Sequence, residues 1–539
     1  MASSTPHTSQ QSNSLAYVNG RVYTIDDTQP WAEAFIVDED GLFTHVGSNA
    51  SIQNITKESK IVTVDLKGQF IMPGIHDAHM HLLMSGLGLT SGAVISMDAT
   101  HLDIASQIKH GSCACEYINV YQNWILAAAY NNQGFPDGIA DRKYLDEIFP
   151  DTPVVIQGGA GHSSLLNTEA LKRAGYDVEN EPDTQAAKFF RREDGSLTGE
   201  LGESAMSKSA LAIPKPSPAH VKRTLKHAIH LAHKAGVTST QEASTNTQLL
   251  QALSEMEKEG SLNLDISAHI VYGCEWLAFE SKDSLNQLLD AADRFKSKHV
   301  DTRFVKIMLD GVPLPPLCTH AALDEHGHVD QTRITTPDVA AAVSKFDKLG
   351  RTVKIHCTGH GSTRLALDAI EAARKENPHG PRHEIAHNSG VHKDDYPRYK
   401  HLNTTAEMSP AELFVHPLTS ASSGLMNWDF PAMLSANAHV TIGSDWGAVP
   451  DPSLFASMAR IVSSVGNGDQ EKGGQVLCRM LTLNGALAIG KEDVQGSVEV
   501  GKKASFIVVD KDLSKGEFEG AKVLRTYFEG EKVWDANVV

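Results

Sequence analysis

The feature that most constrains the fold is a series of eight short apolar or β-branched stretches separated by helical or longer segments. They lie at residues 70–81, 236–243, 264–273, 303–311, 351–359, 383–388, 403–409 and 439–445. Such alternation is typical of β/α units around a parallel sheet. Eight units predict an α/β protein with a (β/α)8, TIM-type barrel, in which functional residues lie at the C-terminal ends of the strands.

The spacing also predicts additions to the barrel. The gap between the first two strands is too long for one crossover helix, so we expect an insertion at about residues 100–215, a lid or subdomain over the barrel mouth. Short strands with hairpin turns at Asp40-Gly41 and Glu529-Gly530 mark the two ends of the chain. We therefore predict a disordered tail at 1–14, a composite β-sandwich from 15–70 and 490–539, and a barrel domain from 71–489.

Composition favours a folded globular protein. Of 539 residues, 41% are hydrophobic and 21% charged, with a formal net charge of −18. An acidic surface without Lys or Arg runs disfavours nucleic acid as a partner. Without a long apolar run or a signal-like N-terminus, we expect no membrane partner and a cytoplasmic location.

Six cysteines in a chain of this length do not form a disulfide framework, and we expect free thiols. Cys113 and Cys115 form a C-x-C, but no second pair with zinc-ligand spacing accompanies them, which favours ordinary cysteines. Of the 26 histidines, many belong to amphipathic helices. In the helix that begins after Ser217, His227, His230 and His233 lie off the apolar stripe, so we expect them in solvent.

A second group of histidines falls at predicted strand ends. Side chains alternate along a strand, so His79 and His81 point the same way on the first strand. His356 and His387 end the fifth and sixth strands, and Asp445 ends the eighth. Imidazole nitrogens with a carboxylate suit zinc and related divalent ions, so the sequence predicts a metal site at the barrel mouth.

Lys306, near the end of the fourth strand, points at the same mouth. A lysine there either forms a salt bridge with a carboxylate or is itself carboxylated. Carboxylation turns the cation into an anionic ligand that can bridge two metals. The residues alone leave both interpretations open.

These residues form a recognisable pattern. Pro73, Gly74, Asp77, His79 and His81 give PG-x-x-D-x-H-x-H, which resembles the first-strand motif of the amidohydrolase superfamily. The resemblance continues through Lys306, His356, His387 and Asp445. Further segments, GHSSLLN at 161–167, TGELGESA at 198–205, GSDW at 443–446 and DPSLFASMAR at 451–460, resemble the YtcJ-like branch, or amidohydrolase family 3, which includes N-substituted formamide deformylase.

The resemblance implies a metal-dependent hydrolase that cleaves the C–N bond of an amide, or of an N-formyl or N-acyl amine. The implied cofactor is one or two divalent metals, zinc by preference. The implied ligands are His79, His81 and Asp445 for one metal, His356 and His387 for the other, and carboxylated Lys306 between them. Asp445 would act as general base and then as general acid.

Other candidates are expected to contact the substrate. His162, on the insertion, donates a hydrogen bond to the developing oxyanion or merely orders the lid. Glu203 orients the substrate, replaces Lys306 as a ligand, or caps a helix. His320 and His360 are substrate contacts or solvent-exposed side chains, and Trp446 is a further substrate-binding candidate.

Ala160, His76 and His360 differ from the residues usual in this branch. We expect all three near the mouth, where they would give the enzyme an unusual substrate.

Two alternatives stay open at this point. The same fold supports a deaminase, a hydrolase of cyclic amides or a decarboxylase. A non-enzymatic interaction protein on a barrel without its ligands is disfavoured, because every ligand position is filled. A homodimer is compatible with either alternative.

Overall fold

The computed structural model describes residues 14–111, 120–159, 161–409 and 428–538. The predicted tail, apart from Ser14, lies outside this range, as do Cys113, Cys115 and Ala160. Residue contacts divide the chain into two units, one of Met1–His76, Ala232–Ser239 and Ser453–Val539 and one of Asp77–Leu231 and Thr240–Pro452. The domain boundaries predicted from the sequence stay a prediction.

The N-terminal region forms short strands and one helix. In chain order these are β1 (Leu15–Val18), β2 (Arg21–Tyr23), β3 (Trp31–Ala32), β4 (Ala34–Val37), β5 (Phe43–Gly47), α1 (Asn49–Ser59), β6 (Val62–Asp65) and β7 (Phe70–Pro73). A four-stranded sheet has the order β5-β4-β1-β6. Gly41 adopts a φ of 75° in the turn between β4 and β5, which the Asp-Gly pair predicts.

An insertion follows the first barrel strand, β8 (Ile75–Met80), and the helix α2 (Leu82–Ser91). Its elements are β9 (Ala93–Val94), α3 (Ile104–Gly111), β10 (Ile125–Tyr130), α4 (Lys143–Asp146), β11 (Val154–Gly158), β12 (Ser163–Leu166), α5 (Thr168–Arg173), β13 (Ala187–Arg191), β14 (Leu197–Glu203) and α6 (Ser207–Ala212). The strands form one sheet in the order β13-β14-β12-β11-β10-β9. The apolar cluster that includes Ile156 comes only from the insertion, which therefore has a core of its own. The cluster that includes Leu201 is shared with barrel residues such as Met308.

Seven further strands complete the barrel. With the helices between them, they are α7 (Pro218–Lys234), β15 (Val237–Thr245), α8 (Thr247–Lys258), β16 (Asp265–Tyr272), α9 (Glu275–Ala278), α10 (Lys282–Asp290), β17 (Val300–Met308), α11 (Val339–Lys348), β18 (Thr352–Cys357), α12 (His360–Glu376), β19 (Glu384–His387), α13 (Tyr396–His401), β20 (Thr405–Met408), α14 (Phe430–Ser435) and β21 (His439–Ile442). The sheet order, from β21 down to β15 and then β8, follows the chain, and the predicted barrel is confirmed.

The barrel closes through the residues just after β21. Asp445 N donates to His79 O at 2.8 Å, and His81 N donates to Trp446 O at 3.0 Å. Gly443 makes this approach possible, because a Cβ at that position would lie 2.5 Å from His79 N. The last strand end is therefore held directly against the His-x-His segment.

The C-terminal region completes a separate sheet domain. Its elements are α15 (Phe455–Val465), α16 (Gln470–Met480), α17 (Leu483–Ala488), β22 (Phe506–Val509), β23 (Val523–Phe528) and β24 (Glu531–Asp535). A six-stranded sheet, β24-β23-β22-β7-β2-β3, joins strands from both ends of the chain. Tyr17 and Phe35 from one sheet pack with Phe506 and Tyr527 from the other. This arrangement confirms the predicted sheet domain formed from both termini.

The helix α7 has the predicted cap, but only two of the three histidines expected in solvent are exposed. Ser217 caps α7, and His227 and His230 are exposed as predicted. His233 is only 2% exposed, so the expectation of solvent exposure was wrong there. The last turn of α7 is covered, since the hydroxyl of Thr526 on β23 donates to His233 O at 2.7 Å.

The four described cysteines, Cys274, Cys318, Cys357 and Cys478, are free thiols as expected. Among the described residues, no helix combines the length and apolar character that crossing a membrane requires.

The insertion contains a buried carboxyl group that should make stability depend on pH. Tyr130 Oη donates to Glu200 Oε1 at 2.8 Å, Asn132 Nδ2 at 2.9 Å, and burial raises the pKa of Glu200 from 4.5 to about 7. Between these values the folded protein keeps a proton that the unfolded chain has released. The free energy of unfolding therefore falls as pH rises through this window.

We predict that in Glu200→Gln the free energy of unfolding falls less steeply as pH rises. Urea denaturation of the variant and of the wild type between about pH 5 and pH 7 measures how the free energy of unfolding of each changes with pH. Glu193→Gln, at an exposed position of the same insertion, is the control and should follow the wild type. Parallel pH profiles for Glu200→Gln and the wild type would contradict the prediction.

A second prediction concerns barrel closure. Gly443→Ala forces a methyl group against His79 N, and overpacking of this kind costs about 1–3 kcal/mol. Chemical denaturation should show that loss. Gly88→Ala, in α2 with nothing within 4 Å of its added Cβ, should be neutral or stabilising, because alanine favours a helix. Equal stability of the two variants would rule out the close approach.

Candidate metal centre

The strand ends bring the predicted ligand residues together. His81 Nε2 lies 3.2 Å from Asp445 Oδ1, and His79 Nε2 lies 3.8 Å from the same oxygen. His387 Nδ1 is 3.9 Å from Asp445 Oδ2, and the rings of His356 and His387 are 4.4 Å apart. All four histidines are buried. One carboxylate and four imidazoles therefore converge at the C-terminal end of the barrel.

A hydrogen-bond partner orients each ring of the His-x-His pair. His79 Nδ1 lies 2.8 Å from Glu407 Oε2 on β20. His81 Nδ1 lies 2.9 Å from Ser244 Oγ, whose hydroxyl donates to Glu242 Oε1 at 2.9 Å. A hydroxyl that already donates can only accept, so Nδ1 of His81 donates to Ser244. Burial raises the pKa of Glu407 to about 8, and the charges of Lys354 and Lys306 oppose that rise. In its ionised form Glu407 accepts from Nδ1 of His79. Each Nε2 then keeps its lone pair on the side of Asp445.

The other two histidines are held in different ways. His387 Nδ1 lies 2.9 Å from Ser409 Oγ, and its Nε2 has no hydrogen-bond partner among the described residues. His356 Nε2 lies 3.1 Å from Gly311 O. Because a carbonyl oxygen only accepts, Nε2 of His356 carries the proton and Nδ1 is the nitrogen with a free lone pair.

Burial keeps these rings neutral. Desolvation lowers the pKa of His79, His356 and His387 well below the ordinary value, and nearby positive groups, Lys306 among them, lower it further. Neutral imidazole is the form that binds a metal. Burial thus favours the ligating form of these three rings.

Lys306 lies at the centre of this cluster. It is 1% exposed, and its Nζ is 3.3 Å from His79 Nε2. Burial first, and the charge of Lys354 second, lower the pKa of Lys306 to about 8. A contact with a histidine, rather than a salt bridge to a carboxylate, is what the described residues show for this side chain.

Glu407 is a residue that the sequence analysis missed. Its Oε2 contacts His79 Nδ1 and accepts from His387 N at 3.3 Å, while its buried Oε1 has no hydrogen-bond partner among the described residues. Within this cluster, two groups of described residues have ligand atoms close enough to hold an ion, His79–His81–Asp445 and His79–His387–Glu407. A carboxylate within an otherwise apolar barrel strand was the signal that could have found it.

The insertion brings a second pair to the centre. His162 Nδ1 lies 3.0 Å from Glu203 Oε2, and the His162 ring lies 5.0 Å from that of His356. Thr319 Oγ1 donates to Glu203 Oε1 at 2.7 Å. Burial opposes a charge on His162, but the Glu203 carboxylate outweighs it and raises the pKa of His162. Glu203 makes no side-chain cap to the following turn, so helix capping is not its role.

Three of these residues have unusual backbone conformations. Glu203, His387 and Asp445 have φ values of 54°, 72° and 52°, in the region that favours glycine. Each such residue costs about 1–3 kcal/mol, and they cluster at functional sites because the surroundings must hold them.

Other candidates lie outside the convergent cluster. Trp446 is buried and bonds the first strand through its backbone, His320 is half-buried, and His360 is exposed with its ring 6.4 Å from that of His392. None of the three is among the described residues that line the cavity over the cluster. His76 is buried at the start of β8, beside Ser239, so the expectation that it lies near the mouth was wrong.

The cavity over the cluster has a volume of about 210 Å³. The four barrel histidines, Lys306 and Asp445 form its polar base, with His162 beside them. Its walls include the apolar side chains of Leu83, Leu126, Val155, Met206, Trp276 and Phe279. A molecule bound here would place a polar group at the base and an apolar part against the walls.

Known proteins match both the sequence and the fold. A model of the amidohydrolase family matches residues 62–534. N-substituted formamide deformylase of Arthrobacter pascens is 23% identical over 96% of this chain and 98% of its own length, and the putative amidohydrolase YtcJ of Bacillus subtilis is also 23% identical, with the same two coverages. An uncharacterised metal-dependent hydrolase from Pyrococcus horikoshii shares the fold, with a TM-score of 0.70, 20% identity and coverage of 94% of this chain and 99% of that chain.

The match spans both the barrel and strands of the separate sheet domain, and within the barrel it includes every residue of the convergent cluster. The chain belongs to the amidohydrolase family.

Proposed function

We propose that this protein hydrolyses the C–N bond of a small amide, an N-formyl or N-acyl amine, at a divalent metal centre. The observation that carries the proposal is the convergence of His79 and His81 on Asp445 at the base of a cavity with apolar walls. We infer a cytoplasmic enzyme without a nucleic acid partner, in keeping with the net charge of −18.

The residues fit one or two metals. His79, His81 and Asp445 would hold one, and His356 through Nδ1 and His387 through Nε2 would hold the other, with Lys306 as a carboxylated bridge. The buried Oε1 of Glu407, without a hydrogen-bond partner among the described residues, marks a place where a nearby cation would be favourable. Nitrogen and carboxylate donors favour zinc. When bound, a metal of this kind polarises a carbonyl and lowers the pKa of water towards neutrality.

Asp445 is the proposed proton carrier. Its carboxylate contacts His81 and is partly exposed to the cavity. It would accept a proton from the attacking water and return that proton to the nitrogen of the amine as the C–N bond breaks. Acid and amine products then balance one amide and one water.

His162 is the proposed oxyanion donor. Glu203 holds its Nδ1 and raises its pKa, which favours the imidazolium form. In that form Nε2 also carries a proton, which would stabilise negative charge on the carbonyl oxygen. Glu203 thereby acts as a positioning residue. His162 and the histidines at the base of the cavity both line it, which supports a shared substrate.

The cavity suggests what the substrate looks like. Apolar walls above a polar base suit an amide whose remaining part is apolar, held by desolvation while the amide faces the base. The deformylase among the relatives is named for N-substituted formamides, and an apolar N-substituent would fit these walls.

We predict that activity requires a divalent metal and His79. Metal analysis of the purified protein and a panel of N-formyl and N-acyl amines should reveal bound metal and hydrolysis, and a chelator should abolish the activity. His79→Ala should lower kcat/KM by at least about a hundredfold. His227→Ala, at an exposed helix position, is the matched control. A protein without metal, together with a fully active His79→Ala variant, would end the proposal.

A further prediction concerns Glu407. Glu407→Gln leaves the shape of the side chain but weakens the acceptor that holds His79, and loss of such a partner typically costs 10–100-fold in metal affinity. Competition with a metal-binding dye measures the change. Glu193→Gln should bind metal as the wild type does, and unchanged affinity in Glu407→Gln would exclude the orienting role.

A further inference from the structure

The wall of the cavity over the candidate metal centre contains two neighbouring polar side chains. Gln157 on β11 and Ser164 on β12 both line this cavity and are partly exposed. They stand directly opposite each other in the antiparallel pairing of these two strands. Opposite residues share one face of a sheet, with Cβ atoms about 5 Å apart. One small polar group can therefore contact both side chains.

Methionine sulfur atoms are the partners of both side chains. Gln157 Nε2 lies 3.8 Å from Met84 Sδ, and Ser164 Oγ donates to Met206 Sδ at 3.3 Å. A thioether sulfur is a weak acceptor. Among the residues that the structure describes, neither Gln157 Oε1 nor Ser164 Oγ accepts a hydrogen bond. The two side chains therefore keep acceptors and weakly bound donors for a molecule in the cavity.

The chemistry of these side chains favours a carboxamide as their partner. A molecule that fills the cavity displaces water, and leaving an amide or a hydroxyl without a strong partner is then unfavourable. A carboxamide has a carbonyl acceptor and N–H donors, which match the donors and the acceptor of Gln157. An ionised carboxylate has acceptors only, and it would leave Gln157 Oε1 unpaired.

Both side chains lie near the proposed oxyanion donor, His162. Ser164 follows His162 by two residues, so their Cα atoms are at most about 7 Å apart. Gly161 directly precedes His162, and a Cβ added to it would lie 3.5 Å from Gln157 Nε2. All four residues line the same cavity. One small molecule can therefore reach His162 with one carbonyl group and Gln157 with another.

We propose that Gln157 and Ser164 bind a carboxamide of the substrate, which a short apolar spacer separates from the amide that is hydrolysed. This inference rests on the proposed hydrolysis and names its substrate class, an N-formyl or N-acyl amine with a second, uncleaved amide. The apolar walls suit the spacer, and the two polar side chains fix the far end of the molecule.

Three pairs of compounds test this preference. N-Formylglycinamide, N-formyl-β-alaninamide and N-formyl-4-aminobutanamide carry the carboxamide on spacers of increasing length. In their partners, N-(2-methylpropyl)-, N-(3-methylbutyl)- and N-(4-methylpentyl)formamide, an isopropyl group of similar shape replaces it. In at least one pair, kcat/KM should be at least about tenfold higher for the carboxamide, because the isopropyl group leaves both polar side chains unsatisfied. No preference for the carboxamide in any pair would overturn the proposal.

Binding measurements separate this inference from the proposed hydrolysis. Failure of the protein to hydrolyse any of these formamides would count against the hydrolysis. Isothermal titration calorimetry on the full chain would then give Kd for both members of each pair. A carboxamide that binds at least about tenfold more tightly than its partner would support the binding role of Gln157 and Ser164. Equal Kd values within every pair, or no binding, would overturn it.

Variants assign the preference to these two side chains. Gln157→Leu removes a donor and an acceptor and should bring the ratio within a pair to about one, while Ser164→Ala should lower it about threefold. Gln133→Leu, at an exposed position of the insertion, is the matched control and should keep the wild-type ratio. Circular dichroism checks that the variants fold. A wild-type ratio in Gln157→Leu or Ser164→Ala, or an equal loss in Gln133→Leu, would overturn the assignment.

Discussion

The candidate centre depends on one constraint, that each of its imidazoles is fixed at one nitrogen so that the other faces the shared space. Histidine rings in a dry place remain neutral, and a neutral ring has one donor and one acceptor. A partner at the donor nitrogen therefore decides which nitrogen can bind a metal. The four pairs are His79 with Glu407, His81 with Ser244, His387 with Ser409 and His356 with the carbonyl of Gly311.

Charges beneath the histidines tie the centre to the barrel interior. Lys354 and Glu384 are fully buried and lie 3.6 Å apart, and Lys354 Nζ also donates to Ala78 O, next to His79 in the chain. Removing one member of such a pair leaves an uncompensated buried charge, which is strongly destabilising. Lys354 on the fifth strand therefore ties the first strand, at Ala78, to a buried ion pair across the barrel.

The insertion contributes side chains that surround the candidate metal ligands of the barrel. It adds apolar walls over the histidines, and it presents His162 and Glu203 from neighbouring strand positions. Glu203 links the inserted sheet to the barrel, because it contacts His162 at 3.0 Å and Thr319 at 2.7 Å. In the proposed function the insertion thus contributes the oxyanion donor and the apolar walls, while the candidate metal ligands lie at barrel strand ends.

The sequence by itself determined the eight strands and the convergence of His79, His81, His356, His387 and Asp445, because strand alternation and parallel strand ends leave little freedom to such residues. It did not reveal their partners. Which acceptor meets which ring depends on the register between strands far apart in the chain, and on loop carbonyls such as that of Gly311.

Dependence on tertiary packing also explains why three predicted substrate-binding residues lie away from the cavity. Trp446, His320 and His360 follow strand ends in the sequence, but their side chains do not line the cavity. Loop direction is set by packing, and only the folded chain decides it. Sequence spacing therefore determined the metal-ligand pattern, while tertiary packing decided its protonation, its partners and the shape of the space above it.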